Sequence, residues 1–492
     1  MNSIAPPSDG VKTESGSIPA IPVLTLLFIS AVAALIRWPG LFSTPVDLDE
    51  GYTVLTARLG LIEPVLRGPC DRNPLGAHLP HALWSDIGGL SQSSLELVSY
   101  FAGIAIIPFV YLLGRELFSH RTGLVAAALV SVSTFHIFYS QYIRVYSTAV
   151  LISVSALLYF TRWYRCRRPK DGINSLLLSA IAVNLHYYAA LSVGSVLVFL
   201  CGAAIKDKTV RKPAVLAGIT ILAAAFPTLL WQSRVLSELN EPTWMAPPGL
   251  KTFASIWFHL SSQSIGLTIL FLSLLVLAFY RIFITAAEKW PPALLFTGIF
   301  CPIAAALVFS LGHGSVFHLR YFIFILVPFL ILIAEGLGQI TPRLLQVAVT
   351  AAVGIFSILA LMDEIAGRGA NPAYRTSPLR SASVQTAAGD LQAVTIFSSK
   401  CGFVSAEVEN LVRGQRYLLR SADDTWVLKC IAGAGIEINH DSVSRFQKFM
   451  LINQGCPPAP ARVELCLPDA FSAQGFTRTA VWDNGAVCEF SK

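Results

Sequence analysis

The sequence predicts a polytopic α-helical membrane protein that carries a small α+β domain at its C-terminal end. Three observations predict it. Only 13% of the 492 residues are charged and 54% are hydrophobic, whereas soluble domains carry roughly 25% charge. Apolar, charge-poor runs recur along the first 362 residues at lengths that match the roughly 20 residues a helix needs to cross a hydrocarbon core. From Asp363 to Lys492 the pattern changes to short β-rich runs separated by Gly or Asp.

The runs come in order as Ser15–Ile36, Leu97–Gly114, Thr122–Ile143 and Val145–Thr161. Gly172–Ile205 is too long for one span at 1.5 Å per residue, and the polar cluster Asn184-Leu185-His186-Tyr187-Tyr188 divides it into two. Pro213–Ser233 follows, then one span within Thr252–Tyr280 and one within Trp290–Leu319. Tyr321 to about Gly338 and Leu344–Met362 complete a set of eleven. The first run has only Lys12 before it and no clear small-x-small site after it, so it is expected to be a retained span and not a cleaved signal peptide. Arg37-Trp38-Pro39 is expected at its interfacial end.

Charge parity supports this count. With residues 1–14 a disordered cytoplasmic segment, the inner loops hold Arg115, Arg121, Arg162, Arg165, Arg167, Arg168, Lys170, Lys206, Lys208, Arg211, Lys212, Arg281, Lys289 and Arg343. The short outer loops hold only Arg144, Arg234, Lys251 and Arg320. This is the bias that orients membrane proteins. The stretch Asp363–Lys492 contains 13 basic and 13 acidic residues, so the formal charge of +7 belongs to the membrane part. It speaks to topology and anionic lipid, and nucleic acid is not an expected partner.

The expected organisation is therefore a transmembrane domain over 15–362, with a first outer loop at 38–96, and an extracytoplasmic domain over 363–492. The segment from Pro74 to Trp84 is apolar but broken by prolines, as in a stretch lying on the membrane surface. In the tail, Ala393–Phe397, Thr425–Ile431 and Ala480–Phe490 are strand candidates. Six cysteines fall on the expected outer side: Cys70, Cys401, Cys430, Cys456, Cys466 and Cys488. An even number in an oxidising compartment suggests disulfides, although buried free thiols fit the same spacing. No CxxC pattern marks a zinc site. The residues call for no cofactor, and a divalent metal has no ligand pattern to support it.

Asp47-Leu48-Asp49-Glu50-Gly51-Tyr52 places three carboxylates just beyond the first span. At the mouth of a membrane bundle a loop carboxylate can serve as a general base, or can be an ordinary solvated acid.

Several pieces of the chain, taken in order, resemble the GT-C superfamily of membrane glycosyltransferases that use polyprenyl-phosphate sugars. The nearest resemblance is to the branch of the protein O-mannosyltransferases and the lipid A aminoarabinose transferase. Asp49-Glu50-Gly51-Tyr52-Thr53 resembles DEAYT, and Asn73-Pro74-Leu75 with His81 and Trp84 resembles HPPLYYLLLHLW. The stretch from Tyr111 to Phe118 resembles YLLGRRLFG. Phe135 to Gln141 with Arg144 and Tyr146 resembles FHIYYSQEARMY, His186-Tyr187-Tyr188 resembles THYF, and Arg320-Tyr321 resembles RYLLP. The resemblance spans about residues 20–340. Two departures stand out: the acid of SQEAR is Tyr142 here, and the leading His of HPP is replaced by Arg72 or Asn73, depending on the offset.

The resemblance implies a GT-C-like fold of about eleven spans in the plasma (inner) membrane. It also implies sugar transfer from a polyprenyl-phosphate donor to a lipid, glycan or protein acceptor on the outer face, with inversion expected. Such a transfer needs a base near the acceptor hydroxyl and cations near the leaving phosphate. Asp49 or Glu50 is the candidate base. Arg320 and Arg144 are candidate phosphate ligands, because arginine can hold phosphate bidentately; a snorkelling arginine at a helix end is the alternative for each. Tyr321, Tyr146, His186 and His81 complete the candidate substrate contacts. For His186 a satisfied structural role weighs equally, and His78 and His81 are expected to be surface-helix residues and not metal ligands. A many-spanned secondary transporter and a non-catalytic membrane scaffold are the competing readings. Transporters usually show repeat symmetry and mid-membrane charge, whereas the candidate charges here gather at outer span ends.

Overall fold

In the computed structural model, residues 20–41, 48–62, 72–238, 247–285 and 288–366 are described, with single positions 65, 245 and 472 and six strands between 394 and 491. The first helix, α1, covers Ala20–Arg37. Two short helices follow outside the main bundle, α2 (Leu48–Arg58) and α3 (Leu79–Gly88). The bundle continues with α4 (Gln92–Leu117), α5 (His120–Val132), the single-turn α6 (Thr134–Tyr139) and α7 (Tyr146–Cys166). Next come α8 (Pro169–Leu185), α9 (Tyr187–Lys206), α10 (Arg211–Glu238), α11 (Leu250–Leu260) and α12 (Ile265–Thr285). The last three are α13 (Trp290–His313), α14 (Leu326–Gly338) and α15 (Arg343–Ile365).

Every expected apolar run contains a helix. Six helical segments among the described residues are long and apolar enough to cross a membrane, and α11 with α12, bent by 92°, would make a seventh. The protein is an integral membrane protein. The break at His186 falls where the polar cluster puts it, between α8 and α9.

One expected span is shorter than its run. Thr122–Ile143 is helical only to Val132 and then breaks twice. The cause is Arg37. The sequence places it at an interface, yet it is completely buried. Its guanidinium donates to the carbonyls of Ser131 (2.9 Å) and Val130 (3.3 Å), the acceptors that a continuing helix would have consumed. The same group donates to Ser140 Oγ and His136 Nδ1. A charged side chain thus closes the end of α5 and fixes α6 against it.

Between membrane helices no hydrophobic gradient drives association, so close packing of small residues carries more of the cohesion. Gly114 of α4 and Gly123 of α5 show this. A Cβ on Gly114 would lie 2.8 Å from the Gly123 Cα, so any side chain would force the helices apart. The centre is α14, whose Ile331, Leu332 and Ile333 are fully buried.

The tail strands form one six-stranded sheet, in the order β3-β2-β1-β4-β6-β5. They are β1 (Val394–Phe397), β2 (Arg416–Leu419), β3 (Ile436–Ile438), β4 (Lys448–Ile452), β5 (Thr477–Trp482) and β6 (Val487–Ser491). The first four are mutually parallel, and β6 runs antiparallel between β4 and β5. Parallel neighbours need long crossover connections, in keeping with the expected α+β class. Ala480–Phe490 resolves into two antiparallel strands and not one. Thr425–Ile431, Cys70 and the tail cysteine side chains lie outside the described residues.

Candidate functional site

The site forms where α2, the break between α6 and α7, the start of α9 and a 3-10 segment at Leu319–Ile325 meet. Asp49 and Glu50 stand in the first turn of α2. They are therefore helical and not loop residues, which corrects the sequence expectation. Carboxylates are favoured there by the exposed backbone N–H groups of a helix start.

The two carboxylates have different neighbours. The Asp49 carboxylate forms an ion pair with the Arg320 guanidinium, and both side chains keep some exposure, 29% and 13%. Glu50 is 5% exposed and its Oε1 accepts the Ile143 N–H at 2.7 Å. That N–H lies in the break between α6 and α7, where no helical carbonyl serves it. Ser99 closes the same break, donating to the carbonyls of Tyr142 (2.6 Å) and Arg144 (3.1 Å). Arg144 is held by donation to the Asp49 carbonyl (2.8 Å) and to Thr53 Oγ1 (3.1 Å). Asp49, Arg320 and Arg144 are thus neighbours, although 271 positions separate Asp49 from Arg320.

Aromatic rings line one side. Arg320 stands over the Tyr321 ring at 5.3 Å. Tyr146 lies 5.3 Å from His186 and 6.4 Å from Tyr321, and His186 stacks on Phe324 at 5.0 Å. Tyr142, in the place of the SQEAR acid, stacks between Phe138 and Tyr146, with interplanar angles of 30° and 20°. A phenol therefore occupies this place in an aromatic stack.

His186 caps α9, its Nδ1 accepting the Tyr188 N–H at 3.1 Å. His318 does the same at the 3-10 segment, accepting the Arg320 N–H at 3.4 Å. Sequence reading missed His318, although a histidine two residues before a candidate arginine repeats the His186–Tyr188 spacing. Burial, aided by Arg320, lowers the His318 pKa to about 4 despite the opposing influence of Asp49.

The segment from Asn73 to Gly88 packs against α8 and α10. The Trp231 indole donates to the Asn73 carbonyl at 3.0 Å. Gly76 sits so close to α8 that a Cβ would fall 2.2 Å from the Asn184 carbonyl oxygen. The helix α3 exposes Leu79, Leu83 and Ile87 and buries His81 completely. His81 therefore departs from the surface position expected of it. Burial, then the nearby His78 and Arg144, push its pKa down to about 3. Neither ring nitrogen meets a hydrogen-bond partner among the described residues. Among the described residues, no group of three or more His, Cys, Asp or Glu side chains converges in a way that could hold a metal ion.

Comparison with known proteins bears on the fold. Residues 71–231 match the family model described as dolichyl-phosphate-mannose-protein mannosyltransferase. ArnT from Cupriavidus metallidurans in the apo state superposes with a TM-score of 0.67 at 12% identity, covering 96% of this chain and 98% of that one. The same protein bound to undecaprenyl phosphate gives 0.67 at 11% identity, over 95% and 97%. The fold is that of the GT-C membrane glycosyltransferases. The Archaeoglobus fulgidus oligosaccharyltransferase in complex with Zn and sulfate is more distant, with a TM-score of 0.52 at 12% identity over 92% of this chain and 69% of that one. No curated protein sequence matches the chain. Within this GT-C fold the family model covers Arg144, Tyr146, His186 and His81, whereas Asp49 and Arg320 lie outside the matched segment.

Proposed function

We propose that this chain is a glycosyltransferase that moves a sugar from a polyprenyl-phosphate donor to an acceptor hydroxyl, with inversion. The observation that carries the reading is the meeting of Asp49 with Arg320 and Arg144 beside an aromatic wall. Asp49 acts as the base. It takes the acceptor proton while the acceptor oxygen bonds to the anomeric carbon and the carbon–oxygen bond to phosphate breaks. The polyprenyl phosphate leaves carrying the electron pair, and Arg320 with Arg144 receives its charge. The rings of Tyr146 and Tyr321 offer apolar faces for a sugar.

The resting ion pair imposes an order. A donor phosphate competes for Arg320, and that competition releases the Asp49 carboxylate for the acceptor. Donor should therefore bind first. The site end is assigned to the extracytoplasmic side of the plasma membrane. Two ion pairs support this assignment, because Arg162–Glu116 and Arg167–Asp207 gather basic turns at the other end of the bundle. Domain limits of 15–362 and 363–492 belong to the same proposal.

The test is transfer of radiolabelled sugar from a polyprenyl phosphate by the purified full-length chain. Asp49→Asn should abolish it while leaving the melting temperature unchanged. Activity retained in that variant would remove Asp49 as the base.

A further inference from the structure

The end of the bundle away from Asp49 carries a second concentration of charge that the transfer reaction does not use. Helix α7 has 21 residues, so its last turn lies about 30 Å from Tyr146 and the site. Two turns meet at that end, one joining α7 to α8 and one joining α9 to α10. An ion pair holds them together, Arg167 to Asp207 at 3.3 Å. Arg167 adopts a left-handed backbone conformation (φ 54°) and covers the rings of Tyr164 (4.8 Å) and Trp163 (5.1 Å). Asp207 is used up in this role. Its Oδ1 accepts from the Thr209 N–H (2.9 Å) and hydroxyl (2.6 Å). Those bonds, with Arg167, lower its pKa.

Six further cations surround this bridge: Arg168, Lys170, Lys206, Lys208, Arg211 and Lys212. All are exposed, and among the described residues none is ion-paired. Asp171 is the remaining acid of the two turns. Other cations at this end do find carboxylates: Arg162 reaches Glu116 at 3.2 Å and Arg165 reaches Glu288 at 3.7 Å. Orientation in the membrane needs positive charge near span ends. It does not need two turns pinned into one patch with the local carboxylate consumed by the pin. Trp163, Tyr164 and Trp290 beside the patch are the ring types enriched at headgroup level.

We propose that these two turns form one binding site for the phosphate headgroup of an anionic membrane phospholipid. The Arg167–Asp207 bridge sets the spacing of its two halves. Lys206, Lys208, Arg211 and Lys212 supply one half, and Arg168 with Lys170 supplies the other. The site is independent of the sugar-transfer reading.

Native mass spectrometry of the delipidated full-length chain tests it. The probes are phosphatidylglycerol, tetra-acyl diphosphatidylglycerol, phosphatidylcholine and inorganic phosphate. The anionic lipids should bind at least about tenfold more tightly than phosphatidylcholine, and added salt should narrow the gap. The variant K206Q/K208Q/K212Q should lose that preference while keeping its phosphatidylcholine adducts, which report intact folding. R121Q/R343Q changes charge in other turns of the same end and should keep the preference. D207N adds a net positive charge but breaks the bridge, so weaker binding of diphosphatidylglycerol is expected. Four results would overturn the proposal: equal binding of phosphatidylcholine, a preference surviving in the triple variant, an equal loss in R121Q/R343Q, or tighter binding in D207N. Displacement of the lipid by inorganic phosphate at matched concentration would also overturn it, by showing a site for free phosphate.

Discussion

At the Asp49 end of the bundle, breaks in the helices are closed by buried side chains, whereas at the opposite end the turns are closed by exposed ones. Glu50, Ser99, His186 and Arg144 all have less than a tenth of their surface exposed and all satisfy backbone or side-chain partners around irregular segments. At the far end Ser119 caps α5 and Asp207 caps the Lys208–Val210 turn, both reaching local N–H groups in regular geometry. Regular turns cost little to close and tolerate change. Irregular buried ones hold only while every polar group is matched. The same matched groups set the distance between Asp49 and the arginines, so the site end should be the sensitive one.

The largest break in that comparison should come from the base itself. Asp49→Asn keeps the volume and a hydrogen-bond acceptor for Arg320 but removes the proton acceptor, so transfer should fall by about 10²–10⁴-fold. The measurement is single-turnover sugar transfer with the donor pre-bound. A loss below about tenfold would shift the base elsewhere.

Arg320 comes next. Arg320→Ala should weaken binding of a polyprenyl-phosphate analogue by about 10–100-fold, the range for a lost charge-assisted hydrogen bond of roughly 1.5–3 kcal/mol. Arg320→Lys should fall between, because lysine keeps the charge and loses the planar fork. Calorimetry in detergent decides it. Equal affinities in all three proteins would leave Arg320 as an anchor of the 3-10 segment only.

Much of this arrangement was legible in the sequence. Span-length runs and charge parity identify the membrane bundle, and the polar cluster at residues 184–188 marks the split between α8 and α9. The order of short motifs brings Asp49, Arg144, Tyr146, His186, Arg320 and Tyr321 into one list, and the structure brings them into one place. What escaped is long-range. A charged residue at a span end looks the same whether it snorkels or turns inward, and Arg37 turns inward because α5 stops and leaves carbonyls to be met. Asp49 and Glu50 look alike in the chain, and long-range partners separate them: Arg320 for Asp49 and the Ile143 N–H, 93 positions away, for Glu50. His81 seemed a surface residue because period alone does not say which face of α3 meets the bundle. Hydropathy also ranks Leu319–Gly338 and Arg343–Ile365 nearly equal, although 83% of the first apolar window is buried and only 17% of the second.

His81 offers a pH test of the α3 segment. Its folded pKa, about 3, lies below the unfolded value near 6.5. The unfolded chain therefore binds the proton first. The stabilisation from the neutral ring is present above about pH 6.5 and is lost as pH falls toward 3. Between pH 6.5 and 5 that amounts to roughly 2 kcal/mol. His318, lowered to about 4, acts with the same sign. The melting temperature of the wild type should fall over this interval more steeply than that of His81→Phe, in which the titrating ring is gone. Parallel curves would mean that His81 reaches water in the folded protein.

The smallest effect is expected from Glu50, and it sharpens the contrast with its neighbour. Both residues are carboxylates in one helical turn, but the Asp49 carboxylate pairs with Arg320 while Glu50 accepts the Ile143 N–H. Glu50→Gln keeps an amide oxygen for the Ile143 N–H, so a charge-assisted bond becomes a neutral one at a cost of about 1 kcal/mol. Transfer should change little, and the melting temperature should drop slightly. Glu50→Ala removes the acceptor altogether and leaves that N–H buried and unmet, at a cost of about 1–3 kcal/mol. Its defect should appear as lower stability, with activity per folded molecule largely retained at low temperature. If Glu50→Gln instead lost transfer as severely as Asp49→Asn at unchanged stability, the two carboxylates would share the chemistry, and the division drawn from Ile143 would fail.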